Sequence, residues 1–518
     1  MTEQNNSRPA DHDFEAGVPL SAFEDQTTLT GQAGETPVIV SCQDGEYRAF
    51  EAVCSHYGAS LAEGAFSADT VRCPLHHACF SLRTGAAIAA PAFGPLTRRS
   101  VVIANGQVTV GAAIDTDAAG APCRARASDP HRIVLVGSGA AAFAAADTLR
   151  KEGYAGELVM VSEDEDRPYD RPNLSKDYLA GSAPPEWMPL QSWDFYDHHD
   201  IEILAKTRVT RLDLNSARVE TDQHGALAYD RLLLATGARA RTLPLPGAPE
   251  DRVFTLRSMA DAKRLIAAVE SAQNIAIVGA GFIGLEVSAS LRQRGKAITI
   301  ISNEAEPFAA SLGPEIGRHV RQLHEANGVR FIGSASVRDF DGQSVTLDGG
   351  DSVSADLVVV GIGAIPNDAL AAEAGLPVED GILVDADLQT AVPGVFAAGD
   401  VARHRNDWAG RPTREEHWVA AQRQGQIAAR NMLGAQDAYN EAPFFWTHQF
   451  DMTLKVSGLP GVWDRISVSG SIPDNDFVAS YYEGPRLRAV ASAGREHEST
   501  VLHEQLNALH EQAARPGS

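Results

Sequence analysis

Residues Ile133-Val-Leu-Val136, followed directly by Gly137-Ser-Gly139-Ala-Ala-Ala142, decide the fold of the largest part of this chain. The four apolar residues predict a buried strand, and the glycines permit a tight turn into an alanine-rich helix. Such a turn brings backbone N–H groups and the positive end of a helix dipole to a pyrophosphate. Glu163 closes the next predicted strand, where a carboxylate binds ribose hydroxyls. We therefore predict a dinucleotide-binding unit that uses Gly137, Gly139, Ala142 and Glu163.

A second copy of the pattern stands at Gly279-Ala-Gly281-Phe-Ile-Gly284. It lies between two apolar, strand-like runs and opens a helical pattern, so Gly279, Gly281 and Gly284 are expected to form a second turn of the same kind. Two such units imply two bound dinucleotides, or one bound dinucleotide and a second unit that has lost its ligand. Apolar runs alternate with helical ones from residue 132 to residue 433, which predicts parallel α/β sheets.

Composition limits the class of protein further. The chain has 518 residues, which suggests about three or four domains at roughly 150 residues each. Its 68 acidic residues outnumber its 44 Lys and Arg, and the net charge of −24 argues against nucleic acid binding, although it also fits simple solubility. The sequence has no run of about 18 apolar residues and no signal peptide in Met1–Ala16. We expect a cytoplasmic protein.

The two ends of the chain differ from its α/β middle. Short β-type runs and the hairpin turn pairs Asp44-Gly45 and Asn105-Gly106 predict a small all-β domain over residues 14–112. Residues 113–130 are rich in Ala, Gly, Asp and Pro and predict a flexible linker. Short strands after residue 433 and a helix near 498–512 predict a small α+β domain. The expected fold class is multidomain: all-β, then two α/β units, then α+β.

Two short loops of the all-β region carry metal-ligand chemistry. Cys54-Ser-His56 is followed by Cys73-Pro-Leu-His76, and two thiolates with two imidazoles predict a four-ligand site. The pattern resembles the Rieske family, in which two cysteines hold one iron of a [2Fe–2S] cluster and two histidines hold the other. A zinc site with the same ligands is the alternative. The nearby Cys79 fits a buried core residue better than a ligand.

The loops depart from the high-potential members of that family. Ala59 and Leu75 stand where those members carry a loop disulfide, and Ala78 and Phe80 stand where they place hydroxyl groups against the cluster. The resemblance therefore implies a potential toward the lower end of the Rieske range, roughly −150 mV, as in a Rieske-type ferredoxin. His77 replaces the usual glycine after the second ligand pair, which questions how tightly that loop turns.

Three further motifs accompany the glycine turns: Ala235-Thr236-Gly237, Gly361-Ile-Gly363 and Gly399-Asp400. Together they resemble the two-dinucleotide flavoprotein reductases, which bind FAD in the first unit and NAD(P)H in the second. The resemblance implies that Asp400 binds the ribityl chain of FAD and that Thr236, Gly237 and Gly363 contact the cofactors. The domain boundaries that we expect are 131–247 with 367–436 for FAD, 248–366 for NAD(H), and 437–512 for a C-terminal interface domain.

The cysteine inventory selects a branch of these reductases. All five cysteines lie at or before Cys123, so a disulfide-reducing dithiol beside the flavin is excluded. The string from Arg171 to Lys176, Arg-Pro-Asn-Leu-Ser-Lys, instead resembles oxygenase-coupled ferredoxin reductases and apoptosis-inducing-factor-like proteins. That resemblance implies that Lys176 lies at the reactive edge of the flavin and is paired with Glu286. It further implies cofactor contacts for four more residues: Arg171, Val209, Trp418 and Trp446.

The coenzyme and the reaction follow from these assignments. Ser302 stands where NAD-specific relatives have an acid, no Arg or Lys occurs from there to Leu312, and Glu304 is a candidate substitute acid. We expect NADH, with NADPH possible. The resemblance implies electron transfer from NADH through FAD and a [2Fe–2S] cluster to an external one-electron acceptor, such as an oxygenase or P450 component. An NADH-responsive redox sensor is the alternative, and oligomeric state stays open.

Overall fold

The computed structural model describes residues 12–67, 69–114, 129–406 and 409–514. They divide into two compact units, of which the first comprises residues 12–114 and Arg495–Gln505 and the second comprises the rest. The predicted linker at 113–130 lies outside the described residues except for its two ends. None of the helices in these ranges is long and apolar enough to cross a membrane.

The first unit is built from two β-sheets, as the all-β prediction requires. Both expected hairpin turns are present: Asp44 and Gly45 have φ of 55° and 79°, and Asn105 and Gly106 have φ of 52° and 75°. Two successive left-handed residues match the twist of the flanking strands. The strands of the seven-stranded sheet, in spatial order, are His12–Asp13, Thr28–Ala33, Thr36–Gln43, Glu46–Glu51, Arg98–Ala104, Gln107–Ala113 and Val18–Pro19, and those of the four-stranded sheet are Ala65–Ser67, Thr70–Arg72, Cys79–Ser81 and Ala87–Ala89.

Two buried apolar clusters hold this unit together. One of them, around Phe50, Phe80 and Leu96, also contains Cys54 and Cys73. The loops that carry the four predicted metal ligands are therefore anchored in a packed core.

The second unit contains two parallel five-stranded sheets, which confirms the predicted α/β class. In each sheet the strand before the glycine turn lies at the centre, with the next two strands of the chain beside it in order. The strands of the first sheet are Ile201–Leu204, Glu157–Val161, Arg132–Val136, Arg231–Leu234 and Val395–Ala397, and those of the second are Val253–Phe254, Leu357–Val360, Asn274–Val278, Ala297–Ile301 and Arg330–Ile332.

Each parallel sheet is accompanied by a three-stranded antiparallel sheet, so the two halves repeat one plan. The first of these sheets consists of Val209–Asp213, Arg218–Thr221 and Gly225–Ala228, and the second of Val337–Phe340, Ser344–Leu347 and Ser352–Ser354. Two smaller sheets complete this part, formed by Ala238–Ala240 with Ala364–Pro366, and by Ile382–Val384, Ala402–Asn406 and Arg411–Arg414.

A five-stranded antiparallel sheet follows near the C-terminus and shares one apolar core with the second parallel sheet. Its strands, in spatial order, are Phe444–Gln449, Met452–Gly458, Arg486–Ala493, Asp476–Glu483 and Arg465–Ser471. The α-helices of the described residues are Ala140–Lys151, Asp177–Ala180, Trp193–His198, Met259–Ser271, Phe282–Gln293, Ala309–Leu312, Pro314–Ala326, Ala369–Glu373, Trp418–Met432 and Glu496–Ala514, and the 3₁₀ turns are Leu20–Phe23, Arg171–Ser175, Pro185–Trp187 and Glu250–Arg252.

Candidate functional site

The four predicted metal ligands form two like pairs in the first unit. The thiol of Cys54 is in hydrogen-bond contact with Cys73, and Nδ1 of His56 lies 3.2 Å from Nδ1 of His76. Two ligand atoms bound to one ion at about 2.1 Å lie about 3.4 Å apart at a tetrahedral angle, so the histidine pair fits one metal. Among the described residues, no group of three or more His, Cys, Asp or Glu side chains is placed to hold a single ion, whereas one pair of like ligands for each of two irons is the ligand arrangement of a Rieske cluster.

The protonation states of Cys54 and His56 also fit a metal site. The hydrogen bond with Cys73 and then burial raise the pKa of the Cys54 thiol, so a bound cation is needed to keep these sulfurs as thiolates. Burial lowers the pKa of His56 to about 4, so its imidazole is neutral at pH 7 and free to act as a ligand.

The two ligand loops have the same backbone geometry. The N–H of Cys54 donates to the carbonyl of Ala59 at 2.8 Å, and the N–H of Cys73 donates to the carbonyl of Ala78 at 2.8 Å. Each loop also closes a tighter bond, from Gly58 N–H to Cys54 O at 2.9 Å and from His77 N–H to Cys73 O at 3.1 Å. The loop with His77 therefore turns as the glycine loop does.

His77 is held through both its side chain and its backbone carbonyl. Its side chain is fully buried, and its ring centroid lies 4.3 Å from that of His503. Arg72 donates to the backbone carbonyl of His77 at 3.0 Å and forms an ion pair with Glu504, all within the first unit. Burial of the His77 ring offsets the cost of its left-handed backbone.

Tyr57 is a neighbour of the cluster ligands that sequence reasoning missed. Its ring stacks on His56 at 4.1 Å with an interplanar angle of 10°, and it meets the edge of His76 at 5.4 Å. Tyr57 is 52% exposed, so it is an aromatic group that lies between both imidazole ligands and solvent. Its position directly after a ligand histidine was the signal in the sequence.

One cavity of about 1480 Å³ contains both glycine turns of the second unit. Sites for one small ligand span roughly 300–1,000 Å³, so this cavity has room for two dinucleotides. Fourteen predicted binding residues line it: Gly137, Gly139, Glu163, Arg171, Lys176, Val209, Thr236, Gly237, Gly281, Glu286, Gly363, Asp400, Trp418 and Trp446. Four others lie outside its lining: Ala142, Gly279, Gly284 and Glu304.

Three of those four residues lie where the backbone or the helix is closely packed. A Cβ on Gly279 would lie 2.3 Å from the carbonyl oxygen of Gly361, and a Cβ on Gly284 would lie 2.2 Å from that of Gly279. Ala142 is fully buried in the helix that follows the first turn. These residues allow strand and helix to approach and so shape the turn without lining the cavity. Glu304 is exposed, and its backbone N–H donates to Ser302 Oγ at 3.1 Å.

The first glycine turn has the features of an anion site. Gly139 precedes the helix Ala140–Lys151, so the free N–H groups of that helix face the turn. The Arg171 guanidinium is the nearest side chain to Gly139, about 4.0 Å from where a Cβ would stand. A helix N-terminus with an arginine beside it fits the pyrophosphate of FAD.

Arg257 is another cation of this cavity, and sequence reasoning missed it. Its guanidinium forms an ion pair with Asp400 at 2.5 Å, and its backbone carbonyl accepts a hydrogen bond from Arg171. The ion pair fixes the carboxylate that was expected to bind the ribityl chain. Arg257 precedes a helix cap in the sequence and belongs to none of the motifs, so no signal distinguished it.

Lys176 and Glu286 are brought together, as the sequence predicted. Lys176 Nζ donates to Glu286 Oε2 at 2.8 Å and to the carbonyl of Pro172 at 3.1 Å. The same carboxylate accepts from Ser175 Oγ at 2.5 Å and from Thr447 Oγ1 at 2.7 Å. The pair is almost fully enclosed, so its interaction is only weakly screened by solvent.

Aromatic side chains form another part of the cavity wall. Trp418 and Trp446 both line it, together with His417 and Phe445, which stack on each other at 4.1 Å with an interplanar angle of 13°. Flat apolar faces of this kind fit a ring system and exclude water from it. Sequence reasoning found the two tryptophans and missed His417 and Phe445.

Comparison with known proteins matches three parts of the chain. The pyridine nucleotide-disulphide oxidoreductase family matches residues 131–425, the Rieske [2Fe-2S] domain matches residues 18–102, and the reductase C-terminal family matches residues 444–515. The first match covers more than half of the chain, which therefore belongs to the pyridine nucleotide-disulphide oxidoreductase family. It is an FAD-dependent oxidoreductase that also carries a Rieske [2Fe–2S] domain, which confirms the predicted cofactors.

Several known proteins match long stretches of this chain. Apoptosis-inducing factor 3 from Homo sapiens is 34% identical over 478 residues, 89% of this chain and 78% of that protein. Rhodocoxin reductase from Rhodococcus erythropolis is 36% identical over 391 residues, 74% of this chain and 92% of that protein. The structure of the covalent putidaredoxin reductase–putidaredoxin complex has a TM-score of 0.70 at 32% identity and covers 73% of this chain and 93% of the matched chain.

Proposed function

We propose that this protein takes electrons from NADH and delivers them singly, through FAD and its Rieske cluster, to an external acceptor protein. The observation that carries the proposal is that one chain holds the paired cluster ligands and a cavity with two dinucleotide turns. The solved structure of a covalent complex of putidaredoxin reductase with putidaredoxin supports it, because a reductase similar to this chain is there joined to its redoxin. Here a Rieske domain is part of the same polypeptide, and tethering raises its effective concentration at the reductase.

Different residues of the cavity are proposed to bind different parts of FAD and NADH. When bound, FAD accepts a hydride from a nicotinamide and the cluster accepts single electrons. Arg171 and the helix after Gly139 would hold the pyrophosphate, and Asp400, fixed by Arg257, would accept a ribityl hydroxyl. Binding roles are also proposed for Glu163, Val209, Thr236 and Gly237 toward FAD, and for Gly279, Gly281, Gly284 and Gly363 toward NADH.

Lys176 supplies a positive charge inside the cavity, and Glu286 orients it. Because the pair is nearly enclosed, that charge is worth more than the same charge in water. A lysine so placed stabilises negative charge on a neighbouring ring. We therefore propose Lys176 and Glu286 as the residues that tune the reaction, with Trp418 and Trp446 as the walls that exclude water.

The coenzyme is proposed to be NADH. No Arg or Lys occurs from Ser302 to Leu312, so the usual clamp for a 2′-phosphate is missing there. Glu304 is exposed and lies outside the cavity lining, and its contact to the ribose stays a prediction. We also propose the domain boundaries given above, a cytoplasmic location, and an oxygenase or P450 component as the acceptor.

Anaerobic addition of NADH to the holoenzyme tests this function. Flavin absorbance should fall, and the paramagnetic signal of a reduced Rieske cluster should appear. Cys73→Ser should keep the flavin response and lose reduction of cytochrome c, whereas Cys42→Ser, a half-buried cysteine outside the ligand loops, should keep both. An unresponsive flavin, or a cluster that stays oxidised beside a reduced flavin, would overturn the proposal.

A further inference from the structure

A line of buried polar side chains leads from Glu286 away from the cavity. Thr447 Oγ1 donates to Glu286 Oε1 at 2.7 Å, and Gln449 Nε2 donates to Thr447 Oγ1 at 3.1 Å. Gln449 Oε1 lies 3.0 Å from His324 Nε2, and His324 Nδ1 lies 3.3 Å from Ser288 Oγ. We call these residues, Ser288, His324, Gln449 and Thr447, the buried chain.

The buried chain joins three elements of the second unit. Glu286 and Ser288 lie on the helix Phe282–Gln293, His324 lies on the helix Pro314–Ala326, and the other two lie on the strand Phe444–Gln449. The line of contacts therefore begins and ends on one helix, two residues apart. All four side chains have an exposure of 0%, where polar groups need partners because water is absent.

With the Gln449 amide oriented as in the structure, the donors of the buried chain run in one direction. Burial lowers the pKa of His324 to about 4, so the ring is neutral and has a single N–H. The carbonyl oxygen of Gln449 can only accept, so that N–H is on Nε2, and Nδ1 accepts from the hydroxyl of Ser288. The Thr447 hydroxyl accepts from the Gln449 amide and is left with its own proton to donate. Successive donors thus point toward the Glu286 carboxylate.

We propose that Thr447, Gln449 and His324 are positioning residues for the Lys176–Glu286 pair. They supply a donor of fixed direction to Glu286 Oε1, so that Oε2 stays turned to Ser175 and Lys176. This inference rests on the proposed function, which places Lys176 beside the flavin, and it adds three residues that do not touch the cofactor. The role of these three residues is to fix the direction of one hydrogen bond, which Thr447 donates to Glu286.

Two substitutions weaken that hydrogen bond by different routes. Thr447→Val deletes the donor at nearly constant volume. Gln449→Met removes the amide that donates to the Thr447 hydroxyl, so that the hydroxyl loses its fixed direction toward Glu286. Thr447→Ser keeps the donor and is the conservative rescue. Thr390→Val, at a buried threonine that bonds only locally, is the matched control.

The first measurement is anaerobic flavin reduction by NADH in the full holoenzyme. We expect Thr447→Val to slow reduction at saturating NADH about tenfold and Gln449→Met to slow it about threefold, with the Kd for NADH changed less than about twofold in both. Thr447→Ser and Thr390→Val should stay within about twofold of wild type. Equal rates for Thr447→Val and Thr390→Val would overturn the inference, as would a loss of rate in Thr447→Ser as large as in Thr447→Val.

Two further readouts do not depend on turnover. Nitrogen NMR of labelled histidines, with His324 assigned from a His324→Gln variant, should show a neutral ring protonated on Nε2 at pH 7. A ring protonated on Nδ1 would overturn the direction of the buried chain. Acylation of Lys176, followed by peptide mass spectrometry, should be faster in Thr447→Val than in wild type, and equal labelling would contradict the positioning role. If NADH fails to bleach wild-type flavin, the proposed function fails, but these two readouts still decide the inference.

Discussion

Gly58 and His77 occupy the same place in the two ligand loops: each is four residues after a cysteine, donates its N–H to that cysteine's carbonyl, and has a positive φ, of 73° and 62°. One position uses the residue type that adopts this conformation freely. The other uses a histidine whose ring is buried against His503. The same backbone turn is therefore stabilised by conformational freedom in one loop and by packing in the other.

Gly58→Ala should loosen the first loop by about 1 kcal/mol, because a Cβ there meets open space and only the left-handed backbone is strained. Gly45→Ala is the matched control, since Gly45 has φ of 79° and equally open surroundings but lies in a hairpin turn. Both variants should lose similar stability toward urea. Only Gly58→Ala should lose cluster faster on dilution, measured by visible absorbance, and retention equal to that of Gly45→Ala would refute this account.

Gly284→Ala should weaken NADH binding at least tenfold and leave FAD content unchanged. Its Cβ would lie 2.2 Å from the carbonyl oxygen of Gly279, so the second turn must shift, while the first turn is untouched. Gly349→Ala, where a Cβ meets nothing within 4 Å, is the control. The checks are the flavin-to-protein absorbance ratio and a titration with NADH; loss of FAD in Gly284→Ala would show that the two sites are not separable.

Asp400→Asn should lower FAD affinity about tenfold, because it removes the charged partner of Arg257 and a strong acceptor for a hydroxyl. Asp166→Asn breaks a more exposed ion pair with Lys263 in the same unit and should change FAD affinity little. Reconstitution of FAD-free protein with increasing FAD gives both affinities. Equal affinities in the two variants would remove Asp400 from the FAD site.

Acid should destabilise the second unit partly through His324. Its pKa is lowered from 6.5 to about 4, so the unfolded state binds a proton more readily than the folded state. The stability that this histidine contributes is full above pH 6.5 and is lost as the pH falls from 6.5 to 4, by about 3 kcal/mol at most. Urea unfolding followed by flavin fluorescence should show a smaller loss over that range in His324→Gln than in wild type.

The parts of the site that depend on local spacing could be predicted from the sequence. The cluster ligands and both glycine turns occur within a few residues of each other, and each has a chemical reason for its spacing. Strand ends are set by tertiary contacts as well as by local sequence: the strand Leu357–Val360 begins one residue after Asp356. The Asp356 carboxylate instead accepts the N–H groups of Gln273 and Asn274, both at 2.8 Å.

The buried chain could not be predicted, because its members come from three segments of the sequence and none belongs to a motif. A lone histidine in an amphipathic helix, such as His324, has no local feature that separates it from any other core histidine. The same is true of Arg257, whose partner Asp400 is 143 residues away. Long-range pairs of this kind are created by the packing of the core and can be read only from the folded chain.

All thiols of the protein lie in the first 123 residues. The Rieske part and the reductase part therefore differ in their sensitivity to thiol reagents. Thiol-directed reagents can damage the sulfurs that hold the iron, but residues 124–518, which contain the NADH-oxidising part, have no thiol for them to attack. Damage to the cluster ligands would thus leave electrons on the flavin. NADH would still be oxidised, while electron transfer to the acceptor protein would stop. Electrons that cannot leave by the iron are then available to dioxygen.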